Sequence, residues 1–135
     1  MIKFYIQFLI SFFFCSFSFA QLEIKDIKFY KADKEKNITL HKLYSDQNAS
    51  AYIIFIRKYV KKHQHAYHTE TVTVLEGRGI MSLDSSSFKI HKNDIIIIPP
   101  GTAHAVMTLG RKPLKVLSVQ APEFKGKDRI FIEDN

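Results

Sequence analysis

Cysteine is nearly absent from this chain of 135 residues. Cys15 is the only one, so no intrachain disulfide can form. Helical periodicity is missing as well: no long window places apolar residues three and four apart, which argues against a helical domain. No nucleic-acid recognition motif appears. Ser85, Ser86 and Ser87 stand outside any nucleophile-elbow context and read as a hairpin loop, so serine-nucleophile chemistry is not indicated. Internal repeats are absent, and beyond residue 20 there is no low-complexity tract. The length suits one domain.

The first twenty residues differ sharply from the rest. Met1 and Lys3 open a short positive region, Phe4 to Phe19 is nearly all Phe, Ile, Leu and Ser, and Ser18 and Ala20 place small residues before Gln21. This is the three-part layout of a secretory signal peptide over residues 1–20, and it predicts export to a periplasm or to the exterior. The alternative is an uncleaved anchor, for which the apolar run is near the lower length limit. Phe14 precedes Cys15 where a lipoprotein signal needs a small residue, so lipid attachment is not expected. Cleavage would remove Cys15 and with it all thiolate chemistry, leaving His and carboxylates as metal ligands and no stable membrane association.

Twenty Lys and Arg against 13 Asp and Glu give a net charge of +7, and loss of Lys3 leaves +6. The cations are spread along the chain, which reads as a solvated basic surface rather than a nucleic-acid footprint; attraction to anionic lipid or polymer stays open.

Beyond the leader the chain reads as short strands. One or two are expected in Gln21–Tyr30, bulged at Asp26, and another in Ile38–Tyr44, with residues 21–50 forming an N-terminal set. A barrel core is expected over 51–122. It holds the β-branched and aromatic run Ala51–Val60, then Glu70–Glu76, Ile80–Leu83, Phe88–Ile90, His104–Leu109 and Leu114–Val119. Ile95–Ile98 reads as a strand covered on both sides. In the tail, 123–135, residues Ile130–Ile132 can pair as an edge strand. Short strands at regular spacing between Gly, Pro, Asn, Asp and Ser predict an all-β sandwich or barrel.

Three imidazoles and a carboxylate crowd into the eight residues His63–Glu70. Side chains two apart on a strand share a face, so His63 and His65 point together with Gln64 opposite. Resumed strand periodicity places Glu70, Val72 and Val74 on one face. His104, behind the turn Pro99–Pro100–Gly101, shares its face with Val106 and Thr108. Three neutral imidazoles and one carboxylate suit one divalent first-row metal, with Mn, Fe, Ni, Cu and Zn all compatible. His68 falls in the connecting segment and reads as a solvated rim residue; an alternative ligand or a base acting from behind the ligands is the other reading. Tyr67 either closes a pocket mouth or packs. His41 and His91 read as ordinary strand-surface residues.

This arrangement resembles the cupin family over about Ala51 to Pro122. His63, His65, Glu70 and Gly77 match the family's first motif, His-x-His, four residues, Glu, six residues, Gly. Pro99, Gly101 and His104 match the spacing of its second. The resemblance implies a small single-domain double-stranded β-helix with a metal held by His63, His65, Glu70 and His104. Three positions depart: Arg57 and Asn93 stand for glycines, and Thr108 stands for an asparagine. Asn tolerates positive φ better than most residues. Arg57 and Thr108 are candidates to line the cavity.

The resemblance implies a metalloenzyme acting on a small oxygenated molecule, of dioxygenase, isomerase or lyase type, and the leader makes it an exported one. The alternative, placed narrowly behind it, is a non-catalytic module that binds a small molecule or the metal itself, and a third reading is a barrel that the metal merely braces. Fold alone does not choose among them. By analogy with the family, strands in Gln21–Tyr44 are a candidate homodimer contact.

Overall fold

A computed structural model describes residues 23–133. The leader assigned to residues 1–20, with Cys15, lies outside the described residues. Ten strands form two five-stranded sheets, and every pairing is antiparallel. They are β1 Ile38–Ser45, β2 Ser50–Ile56, β3 Tyr59–His65, β4 Thr69–Glu76, β5 Arg78–Leu83, β6 Ser86–His91, β7 Ile95–Ile98, β8 His104–Thr108, β9 Leu114–Ala121 and β10 Arg129–Phe131. One sheet runs β1-β2-β9-β4-β7 and the other β10-β3-β8-β5-β6. Only β1–β2 and β5–β6 are hairpins within a sheet, so every other connection carries the chain across to the facing sheet. That winding is a double-stranded β-helix.

Alternation does most of the work. On β4, Glu70, Val72 and Val74 are buried while the residues between them are only partly so. Inward residues of both sheets meet in one core of Ile56, Val72, Val74, Met81, Ile90, Ile98, Val106, Leu114 and Val116. Turn chemistry sets the crossovers. Gly77 has φ +85°, and a Cβ there would lie 3.0 Å from the Pro113 carbonyl oxygen, so only glycine turns β4 into β5 without strain. Asn93 adopts φ 77°, which explains how it replaces a glycine at the turn before β7.

Three expectations need correction. The first half of 21–50 contains no strand among its described residues. Instead Asp26 accepts from the Lys28 backbone N–H at 3.0 Å and starts a single 3-10 turn, Ile27–Phe29, and the buried Lys115 ammonium donates to the Ile27 carbonyl at 2.9 Å. A local side-chain acceptor there outcompetes a sheet ladder. The run Ala51–Val60 is two strands, broken at Arg57-Lys58 where the chain changes sheets. Ile95–Ile98 is not covered on both sides. β7 pairs only with β4, sits at the edge, and leaves Ile95 and Ile97 66% and 64% exposed while Ile98 is buried. The tail strand does form: β10 pairs with β3.

Candidate metal centre

Each proposed ligand reaches the barrel interior by strand register. β3 buries His63 and His65 and leaves Gln64 partly exposed. β8 pairs with β3 so that His104 lies directly opposite His63, their rings 4.1 Å apart. Glu70 comes from β4 in the other sheet. One ligand atom from each of the four residues lies within 4.8 Å of the others, and all four side chains are buried.

The hydrogen bonds orient these groups. His63 Nδ1–H donates to the Lys61 carbonyl at 2.8 Å, and His104 Nδ1–H donates to the Thr102 carbonyl at 2.9 Å. His65 Nδ1–H donates to Asp128 Oδ1 at 3.2 Å. A carbonyl or carboxylate only accepts, so each Nδ1 carries a proton, and in the neutral ring each Nε2 keeps its lone pair. Glu70 Oε1 accepts from the Ser118 hydroxyl at 2.5 Å and from Gln120 Nε2 at 3.4 Å. Its Oε2 faces His65 Nε2 at 3.5 Å and His104 Nε2 at 3.4 Å.

His65 Nε2 and His104 Nε2 are buried with no hydrogen-bond partner. Buried polar atoms are seldom left so, because desolvation without a partner is costly. Two orphaned lone pairs beside a carboxylate oxygen are the donor set of a divalent cation, so these residues fit one.

Electrostatics agree with that arrangement at His63, whereas in the metal-free site the two carboxylates beside His65 favour its charged form. Burial, with the neighbouring imidazole of His104, pushes His63 down to about 4, favouring the neutral ring. Burial raises Glu70, but His104, His65 and the Ser118 hydroxyl outweigh it and hold the carboxyl well below its ordinary range. Burial lowers His65, and the Glu70 and Asp128 carboxylates overcome it and raise it. A cavity of about 90 Å³ adjoins His63, Glu70 and His104. Its remaining wall is aliphatic apart from Arg129.

The remaining candidates fall elsewhere. His68 is not a solvated rim residue: it is 1% exposed, pairs through Nδ1 with Asp128 Oδ2, and donates from Nε2 to the Glu123 carbonyl at 2.8 Å. The C-terminal segment folds over it, a long-range contact that its loop position does not reveal. Tyr67 is 54% exposed, stacks near the His68 ring and does not line the cavity. Arg57 and Thr108 do not line it either. Arg57 Nε donates to the Asp33 carbonyl at 3.0 Å, and the Thr108 hydroxyl donates to the Ile56 carbonyl at 2.8 Å, so both tie strand ends. His41 contacts the Lys31 carbonyl and packs beside Tyr30 and Phe55, while His91 is exposed.

Sequence reasoning missed Ser118, Gln120, Asp128 and Arg129. The first two had a signal: they continue the buried face of Val116 at period two, so polar side chains occupy inward positions. Asp128 and Arg129 sit in a charged tail with no periodicity to single them out.

A ten-stranded double-stranded β-helix with three histidines and a glutamate gathered inside defines the class of protein. The Cupin domain family matches residues 57–120. An uncharacterised protein of Aquifex aeolicus is 31% identical over 118 residues, covering 85% of this chain and 97% of its own length. An uncharacterised protein of Methanocaldococcus jannaschii is 39% identical over 71 residues, covering 53% of this chain; the chain spans 57% of that relative's length. A double-stranded β-helix protein of Klebsiella pneumoniae has the same fold, with a TM-score of 0.73 at 20% identity over 84% of this chain and all of that one. The chain belongs to the cupin family.

Proposed function

We propose that the protein binds one divalent first-row metal through the Nε2 atoms of His65 and His104, the free ring nitrogen of His63 and Glu70 Oε2. The observation that carries this reading is the pair of orphaned, buried Nε2 atoms aimed at one carboxylate oxygen. Ser118 and Gln120 engage Oε1, which favours attachment of Glu70 through a single oxygen. Bound there, the metal supplies a Lewis acid with positions open to a small oxygenated molecule.

The chain's own residues shape the rest. Aliphatic walls from Ile54, Ile56, Met81 and Val106 exclude water and suit an apolar body, and Arg129 suits an anionic or oxygen-rich end. Among the described residues, the cavity is lined by no carboxylate or imidazole beyond the proposed ligands. Among the expected classes this favours dioxygenase-type chemistry over an isomerase or lyase, which would need a separate proton acceptor. The same lack of a base supports a second reading, a non-catalytic module that holds a small molecule on its metal.

Metal analysis of protein recovered from its native compartment, with identification of any co-purified small molecule, tests both. Stoichiometric metal that is lost in His104→Ala supports the site, and metal retained by that variant sinks it. Oxygen uptake with the bound molecule supports the enzyme, and recovery of that molecule unchanged supports the binder. We place the protein outside the cytoplasm on the layout of residues 1–20; N-terminal sequencing that finds Met1 retained overturns this.

A further inference from the structure

The three histidines are not held alike. His63 and His104 each donate Nδ1–H to the backbone carbonyl two residues earlier, so their own strands fix them. His65 instead donates to a side chain 63 residues away, Asp128, on the segment leading into β10. We propose that Asp128 is a positioning residue of the metal centre, setting the tautomer and ring plane of His65 from the C-terminal segment, with His68 holding the carboxylate in place.

Asp128 is 3% exposed, and both of its carboxylate oxygens are committed. Oδ1 accepts from His65 Nδ1–H and Oδ2 pairs with His68 Nδ1. His68 is in turn pinned by donation to the Glu123 carbonyl at 2.8 Å. The Asp128 carbonyl accepts from the Ala66 N–H at 3.1 Å, fixing the backbone that carries the carboxylate. The Phe124 ring meets the rings of His65 and His68 near-perpendicularly, each at 5.5 Å, and closes the network against water. Each contact narrows the freedom of one imidazole whose Nε2 points at Glu70. A carboxylate partner also makes a ring a stronger donor than a carbonyl does, so His65 is set apart from the other two in strength as well as in anchorage. His68 therefore acts two bonds removed from the ligand set rather than within it.

The metal part of this inference rests on the proposed metal site, whereas the tautomer part does not. Two measurements separate them. Long-range nitrogen–proton NMR of metal-free protein, recorded at alkaline pH where the rings are neutral, reads the His65 tautomer directly. Competition titration with Zn²⁺ and Mn²⁺ reads affinity in wild type, Asp128→Asn and Asp128→Ala. Asn keeps an acceptor for His65 Nδ1–H and offers its amide to His68, so it should retain the Nδ1–H tautomer and lose little affinity. Ala should release the tautomer and weaken metal binding about 10- to 100-fold. His65 found as the Nε2–H form in wild type overturns the proposal and needs no variant to fold. An Asp128→Ala protein with a lower melting temperature but unchanged His65 tautomer and metal affinity also overturns it, since that is a purely structural role. Failure of wild type to bind either metal would count against the metal site alone, and the tautomer would still decide the role of Asp128.

Discussion

His63 is the ligand on which pH acts most simply. Its native pKa of about 4 lies below the unfolded value of 6.5, so the unfolded chain takes up the proton first as pH falls. The associated stability is fully present above pH 6.5 and is lost on the way down to about pH 4. It amounts to something on the order of 3 kcal/mol. Denaturant titrations of metal-free protein across that range should show the decline, and His63→Gln should flatten it. An equally steep decline in the variant would assign the effect to other groups. Ser118 gives a second residue-level test. Its hydroxyl bonds the buried Glu70 carboxylate, so Ser118→Ala should destabilise the metal-free protein by about 1–3 kcal/mol in urea unfolding. No measurable change would show that water replaces the hydroxyl.

Among the elements, β7 shows what a sequence does and does not reveal. Four consecutive isoleucines look alike in β7, yet Ile98 is in the core while Ile95 and Ile97 face outward. Ile98→Ala should cost about 2–5 kcal/mol. Ile97→Thr should stay within about 0.5 kcal/mol. Thermal melts of the two variants check the contrast, and equal losses would mean that something covers the outer face. A continuous apolar run carries no alternation, so neither its buried face nor its edge position could be read from it. Where alternation or fixed spacing existed, the strands β4 and β8, their inward faces and the His63, His65, Glu70 and His104 grouping were legible, whereas β3 was legible only in the shared face of His63 and His65. His68 and Asp128 were not, because their burial depends on a contact made 60 residues apart in the chain. The 3-10 turn at Ile27–Phe29 escaped for the opposite reason: one local Asp26 contact overrode a strand-like composition.

At the scale of the whole molecule, the proposed metal adds a direct link between two sheets that are already joined by crossovers, core packing and the Thr108–Ile56 hydrogen bond. His63, His65 and His104 belong to one sheet and Glu70 to the other. A ligand that binds only the folded state raises stability by mass action, about 2.7 kcal/mol at a hundredfold excess over its Kd. Metal addition should therefore raise the melting temperature of wild type, and chelator should reverse it. His104→Ala should lose most of that response, and an undiminished shift would place the metal elsewhere.

The position of Asp128 bears on when the centre is finished during biosynthesis. His63, His65, Glu70 and His104 all leave the ribosome before Asp128 and β10, which docks alongside β3 as the last strand. On the proposed role of Asp128, His65 is fully oriented only when that segment is in place, so the pocket cannot take its final form before the C-terminal segment is made. Intrinsic affinities among first-row ions favour copper and zinc wherever these are free. A barrel completed late is loaded from the ion supply of the place where folding ends. The occupant would then record the address of the protein as much as the chemistry of its ligands.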